Sequence, residues 1–238
     1  MHYFNYNLAT TLDGLWPDDN TTRVVNCLNP HSFIVARDDA SFRAALEQGE
    51  WLLPDGEGIC MTLKWVKGVH VDKIAGDDLH NWLLQRLEAR QGRIYYMGSS
   101  RKVLDAIEER LHREYPHIAV KSWSPSYDAV IGEAESKTII DDINAFAPDV
   151  LLVGMTAPKQ EKWVAQYRAA IQGVHVIGCI GAVFEFYAGT VKRAPQWAVK
   201  MKIEWLVRLL KEPKRMWKRN FVSAPQFLLW VWRHRKEM

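Results

Sequence analysis

Four short stretches of this 238-residue chain carry side chains whose types and spacing could do chemistry. Pro54-Asp55-Gly56-Glu57-Gly58 sets a carboxylate among glycines in a turn after an apolar run. Backbone at Gly56 lets a ligand come close, so Asp55 could act as a general base toward a bound hydroxyl. The same residues also make an ordinary turn, because Pro-Asp-Gly is common turn chemistry. Gly98-Ser99-Ser100 leaves unpaired N–H groups at a helix start, which suits a phosphate, although most such turns bind nothing. In the stretch from Gly154 to Glu161, Thr156 reads as a helix N-cap, Pro158 as a first-turn residue and Glu161 as a side chain reaching back to the cap. Lys159 and Gln160 remain, a cation and an amide beside exposed helix N–H groups, able to hold a pyrophosphate or a sugar hydroxyl. Asn29, in front of Pro30, completes the set.

Charge is distributed unevenly. From Lys192 onward there are 13 Lys and Arg against 3 Glu, a balance of +10, so the net +3 conceals a body with 18 basic and 25 acidic residues, or −7. A cationic segment of this kind points to an anionic surface or ligand. Trp197, Met201, Trp205 and Leu209 recur at i, i+4 on one stripe, and Lys200, Lys202, Arg208 and Lys211 fall mostly elsewhere around the helix. For 197 to 210 that stripe reads as core packing. For 217 to 235, where Trp217, Phe221, Phe227, Trp230 and Trp232 mingle with Lys218, Arg219, Arg233, Arg235 and Lys236, the expectation is a helix lying on a membrane surface. The same mixture could bind single-stranded nucleic acid.

The elements that must position these residues follow a βαβ rhythm. Strands are expected at 23 to 28, in WLLP before the Asp55 turn, and at 93 to 98, 118 to 123, 149 to 155 and 175 to 181. Helices are expected from about 39 to 48 with Asp38 or Asp39 as cap, through Ile59, Leu63 and Val66, after the Asp77-Asp78 cap, and at 103 to 115, 136 to 146 and 158 to 172. Runs such as VLLV and HVIGCI are apolar throughout, as in a parallel sheet buried on both faces. The fold class is therefore α/β, a doubly wound, mostly parallel, Rossmann-like sheet over 1 to 190, with a basic, Trp-rich helical appendage over 191 to 238.

Several alternatives are excluded by their signatures. There is no GxGxxG after a strand, no GxxxxGK[ST], no HExxH and no GxSxG. Cys27, Cys60 and Cys179 are widely spaced, which suggests neither a disulfide framework nor a zinc site. Asp77-Asp78 reads as a helix cap and Asp141-Asp142 as a solvated face, so no metal and no cofactor are expected. MHYFNYNLATTLDG lacks the basic and apolar regions of a signal peptide, and the late apolar run Phe227 to Trp232 is far below the roughly 20 residues of a spanning helix. A cytoplasmic protein, peripheral on the inner face of the plasma membrane, is the expectation.

Taken in order, PDGEG at 54 to 58, IAGDDL at 74 to 79, GMTAPKQE at 154 to 161, GAVFEFYAGTVKRAP at 181 to 195 and EWLVRLLKEPKR at 204 to 215 resemble the WecG/TagA/CpsF family of bacterial glycosyltransferases over about residues 23 to 219. The resemblance implies an inverting, metal-independent transferase. Its substrates would be a UDP-sugar, carrying N-acetylmannosamine, its uronic acid or a related hexose, and an undecaprenyl-diphosphate-linked acceptor. It implies a catalytic base at Asp55, a ligand contact at Gln160 and a site residue at Asn29. Arg208 and Arg215, with Lys218 or Arg219 as a third cation, would meet the acceptor diphosphate or complete the site. Gly56, Lys73, Gly98, Ser99, Thr156, Lys159 and Arg193 join the expected substrate-binding set. Two departures stand out: Cys27 where the family has Thr, and Lys73 where it has Arg, which keeps the charge but loses the bidentate fork. The expected partners are the two substrates and an anionic membrane, with homo-oligomers a family tendency and no nucleic acid. Competing readings are a non-catalytic UDP-sugar-binding protein and a nucleic-acid-binding module.

Overall fold

Val150–Gly154 and Val176–Cys179 are buried at every position, as continuous apolar runs must be when helices cover both faces of a parallel sheet. The computed structural model describes residues 1–19, 21–191, 201, 204–211 and 213–237. After a small antiparallel pair, β1 His2–Tyr3 with β2 Tyr6–Asn7, come β3 Arg23–Leu28, β4 Trp51–Pro54, β5 Arg93–Gly98, β6 Ala119–Trp123, β7 Val150–Gly154 and β8 Val176–Cys179. These six form one parallel sheet in the order β4-β3-β8-β7-β5-β6. The β4 edge is covered where the Ala9 amide donates to the Leu52 carbonyl (2.9 Å), which blunts an otherwise open edge.

The connecting helices are α1 Pro30–Asp38, α2 Ala40–Glu47, α3 Glu57–Lys67, α4 Gly76–Arg90, α5 Arg101–Glu114, α6 Glu133–Phe146, α7 Lys159–Tyr167 and α8 Val183–Tyr187. Side chains of α4, α5 and α8, among them Leu83, Ile107 and Phe184, pack with Val25, Ile94, Tyr96 and Leu152 on one face. Ile139 and Ile143 of α6 and Trp163 of α7 pack with Tyr95, Leu151, Val153 and Ile177 on the other. The doubly wound sheet read from the sequence is the one observed.

Helix α1 was not among the sequence expectations, which begin the first helix near Asp39. Asn29-Pro30 is a helix start rather than a plain strand terminator. The Asn29 Oδ1 accepts the His31 and Ser32 amides (3.1 and 3.0 Å), and the Asn29 amide donates to the Ser32 hydroxyl (2.8 Å). Pro30 occupies the first turn, where its missing N–H is no loss. Asp39 then caps α2 as expected, accepting the Phe42 amide at 3.0 Å.

From Glu204 on, the basic segment is helical where described: α9 Glu204–Lys211, α10 Pro213–Trp217, a π-helical stretch Lys218–Ser223 and α11 Ala224–His234. Helix α11 buries Phe227 and Val231 completely, with Phe227 edge-on to Phe33 at 5.2 Å. Trp230 contacts both Phe4 (4.8 Å) and Phe33 (4.9 Å). The aromatics expected on a membrane thus divide: Phe227 and Trp230 pack on the body, whereas Trp217, Phe221 and Trp232 remain exposed. Of the stripe expected as core, Met201 is exposed, and the side chains of Trp197 and Trp205 lie outside the described residues.

Replacing Phe227 by Ala should lower unfolding stability by about 3–5 kcal/mol, because it empties a fully enclosed aromatic site. Equilibrium denaturant unfolding measures this, and a loss under ~1 kcal/mol would mean that α11 does not dock on α1.

Candidate active site

Strand β5 leads outward through α5 to β6, whereas its neighbour β7 leads inward through α7 to β8, so their carboxyl ends form a topological switch point, where open α/β sheets bind ligands. Gly98 and Gly154 are paired there. A Cβ on Gly98, whose φ is +125°, would stand 2.4 Å from the Gly154 carbonyl oxygen, so no side chain fits between the two strand ends. Ser99 follows in the left-handed region (φ 59°). Its hydroxyl donates to Glu185 Oε1 of α8 (3.0 Å), and its carbonyl accepts from the Ser124 hydroxyl (2.8 Å).

The ends of β4, β3 and β8 form the adjoining part of this edge. The Asp55 amide donates to both the Leu53 carbonyl (2.8 Å) and the Leu28 carbonyl (2.9 Å), which fixes the residue across the ends of β4 and β3. Gly56 (φ +135°) turns the chain into α3 while lying against Asn29 Cβ and Pro30 Cδ. Lys73 is brought alongside by the Ile74 amide, which donates to the Pro54 carbonyl (3.3 Å). Asn29, Asp55, Gly56 and Lys73 are therefore gathered at one corner. The Asn29 Oδ1 is occupied there by its capping bonds.

Cys27 marks how this corner meets the β7 turn. Its thiol is pushed up well above the ordinary value by burial, then by the Asp55, Glu161 and Asp78 carboxylates around it. Gln160 is buried. Its Oε1 accepts the Met155 amide (3.1 Å) and its Nε2 donates to Glu161 Oε1 (2.9 Å). The β7 turn departs from the sequence expectation. Helix α7 begins at Lys159 without a side-chain cap, Thr156 is exposed, and Glu161 turns inward instead of reaching back. Lys159 is drawn toward the loop after β6, donating to the Asp128 carbonyl (2.6 Å).

The basic segment reaches the same edge through α1. His31, two residues past Asn29, shares a hydrogen bond with the Ser223 hydroxyl (2.8 Å). Its imidazole is pushed down to about 4 by burial, then by Arg219 and Lys218, so it is neutral at pH 7. Lys218 is exposed and Arg219 half-buried. Arg193 and the side chains of Arg208 and Arg215 lie outside the described residues. A cavity of about 300 Å³ opens at the opposite end of α1, between Phe4, Arg37, Arg43 and Trp230, away from the strand ends.

The model of the glycosyl transferase WecG/TagA/CpsF family matches residues 4–238. This chain belongs to that family. A relative from Bacillus subtilis strain 168 is 30% identical over 238 residues, covering 98% of this chain and 90% of its own. One from Bacillus spizizenii strain W23 is 29% identical over 230 residues, covering 97% and 86%. One from Staphylococcus aureus strain MW2 is 27% identical over 188 residues, covering 79% and 72%. Each of the three is named N-acetylglucosaminyldiphosphoundecaprenol N-acetyl-beta-D-mannosaminyltransferase.

Two acidic residues of this family member stand near the strand ends, although their sequence positions do not point to chemistry. Glu185 holds Ser99, and its one sequence signal is that it is a lone acid inside the apolar run VFEFY. Glu161 is 3% exposed, and burial pushes its carboxyl up to about 7 despite the hydrogen bond from Gln160. Its position resembled helix-initiation chemistry, which concealed it. Among the described residues no group of three or more His, Cys, Asp or Glu is arranged to hold a metal ion.

Because the Glu161 carboxyl is raised in the folded state, the folded protein holds that proton more tightly than the unfolded chain between pH 4.5 and 7. Stability should therefore fall across that window as pH rises. Glu161→Gln removes the titration, so its stability relative to the unsubstituted protein should improve between pH 4.5 and 8 by up to ~3 kcal/mol. Unfolding curves at both pH values check this, and a pH-independent difference would contradict the shift.

Proposed function

We propose that the chain transfers N-acetylmannosamine, or its uronic acid or a related hexose, from a UDP-sugar to N-acetylglucosamine on an undecaprenyl diphosphate, with inversion at the anomeric carbon. The names of the relatives support the acceptor and the mannosamine unit. The observation that carries the reading is that Asp55 and the cations Lys218 and Arg219 flank the same helix start, at Asn29 and His31. That pairing suits a base on one side of a diphosphate-bearing substrate and positive charge on the other.

In this mechanism the Asp55 carboxylate takes the proton of the acceptor hydroxyl. The hydroxyl oxygen bonds to the anomeric carbon from the face opposite the nucleotide, and the bond to the UDP oxygen breaks. The charge left on UDP is met by the N–H groups of the Gly98-Ser99-Ser100 turn and by cations of the basic segment. Gln160 contacts the donor, and no metal is required.

A peripheral membrane location, at the inner face of the plasma membrane, fits the same reading. Among the described residues no helix is long and apolar enough to cross a membrane. Trp217, Phe221, Leu228, Leu229 and Trp232 are exposed beside Lys218, Arg233 and Arg235, a mixture that suits an anionic bilayer surface.

With UDP-N-acetylmannosamine and a short-chain lipid-diphosphate N-acetylglucosamine acceptor, Asp55→Asn should lower kcat by about 10²-fold or more while leaving UDP-sugar affinity within about twofold. Full turnover in that variant would remove Asp55 from the chemistry, and binding without turnover in the unsubstituted protein would favour a sensor. Leu228→Ala with Trp232→Ala should weaken sedimentation with phosphatidylglycerol vesicles and leave the fold intact. Salt-sensitive binding to single-stranded nucleic acid, with indifference to vesicles, would favour the nucleic-acid reading instead.

A further inference from the structure

Buried carboxylates ordinarily find a partner for each oxygen, because an unpaired oxygen away from water is costly. Glu161 does so for only one. Its Oε1 accepts from Gln160 at 2.9 Å, while its Oε2 has no hydrogen-bond partner among the described residues. Cations near it in sequence are committed elsewhere: Lys159 to the Asp128 carbonyl (2.6 Å) and Lys162 to Asp39 (2.6 Å) on the neighbouring α2. The titratable groups facing it are Cys27 on β3 and Cys179 on β8, both thiols pushed well up by burial, and Cys27 is in turn reached by Asp55 and Asp78. Glu161 is thus an acid that weakens the fold above pH 4.5 and has no ion-pair partner among the described residues to offset this.

What it does have is the Gln160 amide, held at both ends. The Met155 N–H demands an acceptor, so the Gln160 oxygen faces it (3.1 Å), and the carboxylate of Glu161 demands a donor, so the nitrogen faces that way. An amide nitrogen carries two hydrogens. Glu161 takes one, and the other has no acceptor among the described residues. The amide lies against Gly181 at the end of β8, where a Cβ would stand 4.0 Å from both its oxygen and its nitrogen, so the group sits at the strand-end edge and not deep in the sheet.

We propose that Glu161 is a positioning residue that locks the Gln160 amide in one orientation, so that Gln160 meets the bound nucleotide-sugar solely as a hydrogen-bond donor to a diphosphate or sugar oxygen. The inference rests on the reading above that the nucleotide-sugar occupies the strand ends. A free amide exchanges its donor and acceptor ends at little cost, and half of its orientations would turn a carbonyl oxygen toward an anion. A carboxyl oxygen behind the nitrogen, which accepts a hydrogen bond and cannot face the amide oxygen, removes that choice.

The test is a double-mutant cycle on the full chain, with UDP-N-acetylmannosamine as donor and the short-chain N-acetylglucosamine diphospholipid as acceptor. Glu161→Gln should lower kcat/KM by about tenfold or more, with a cooperative unfolding transition retained. In a Gln160→Ala background the same substitution should have no further effect on kcat/KM, whereas its effect on unfolding stability should persist. Equal losses in both backgrounds would show that Glu161 acts independently of Gln160 and overturn the proposal. If Gln160→Ala alone left transfer unchanged, the reading of Gln160 as a donor contact would fall first, and this inference with it. A measurement without substitutions decides the matter if Glu161→Gln does not fold. The Gln160 side-chain amide protons, followed by NMR from pH 5 to 9, should shift with a single titration, and a flat response would overturn the lock.

Discussion

One backbone N–H holds the working corner of this molecule together. The Asp55 amide is shared between the carbonyls of Leu53 and Leu28, so a single residue bridges the ends of two parallel strands at the moment both stop. Parallel strands do not join by tight turns, and their carboxyl ends would otherwise part company, one entering α1 and the other α3. With the amide clamped, Gly56 passes close to Asn29 and Pro30, and the start of each helix buttresses the other. Lys73 is set beside them by the Ile74 bond to Pro54, and the basic segment is set there by Ser223 on His31. Loss of that bridge would uncouple all of these neighbours together.

Electrostatics at the corner follows the division of charge along the chain. Carboxylates of Asp55, Asp78 and Glu161 surround the Cys27 thiol, while Lys218 and Arg219 act on His31 a short distance along α1. Negative charge thus belongs to the body and positive charge to the late helices. The imidazole between them stays neutral at pH 7 because burial and both cations oppose its protonation. It can therefore hold Ser223 without adding a charge of its own.

The sheet was legible because most of its strands carry the strongest local signal available, apolar runs ended by glycine or proline, whereas β6, with Lys121 and Ser122 and no fully buried position, is marked by the repeating βαβ rhythm instead. Helix α1 was not legible. Asn29-Pro30 marks a strand end and a helix start equally well, and the three-dimensional capping bonds decide between them. The turns that bear Asp55, Ser99 and Gln160 could be located from spacing alone, but not what their side chains do. Ser99 is committed to Glu185 and Lys159 to Asp128, contacts across 86 and 31 residues that no local pattern encodes. Glu161 is hidden in the sequence for the same reason. Its sequence position suits a helix start, and only the packing of β3 and β8 around it turns it into a buried acid.

Phe4 of the small antiparallel pair and Trp230 of α11 meet ring to ring at 4.8 Å, with Phe33 against both. Residues 2–7 are synthesised long before residues 224–234, so during translation their aromatic face has nothing to cover it. The sheet can assemble meanwhile, but this seam closes only after nearly all the intervening chain has left the ribosome. A nascent chain would therefore carry a greasy, exposed patch until α11 arrives, and chaperone capture or early aggregation should concentrate there.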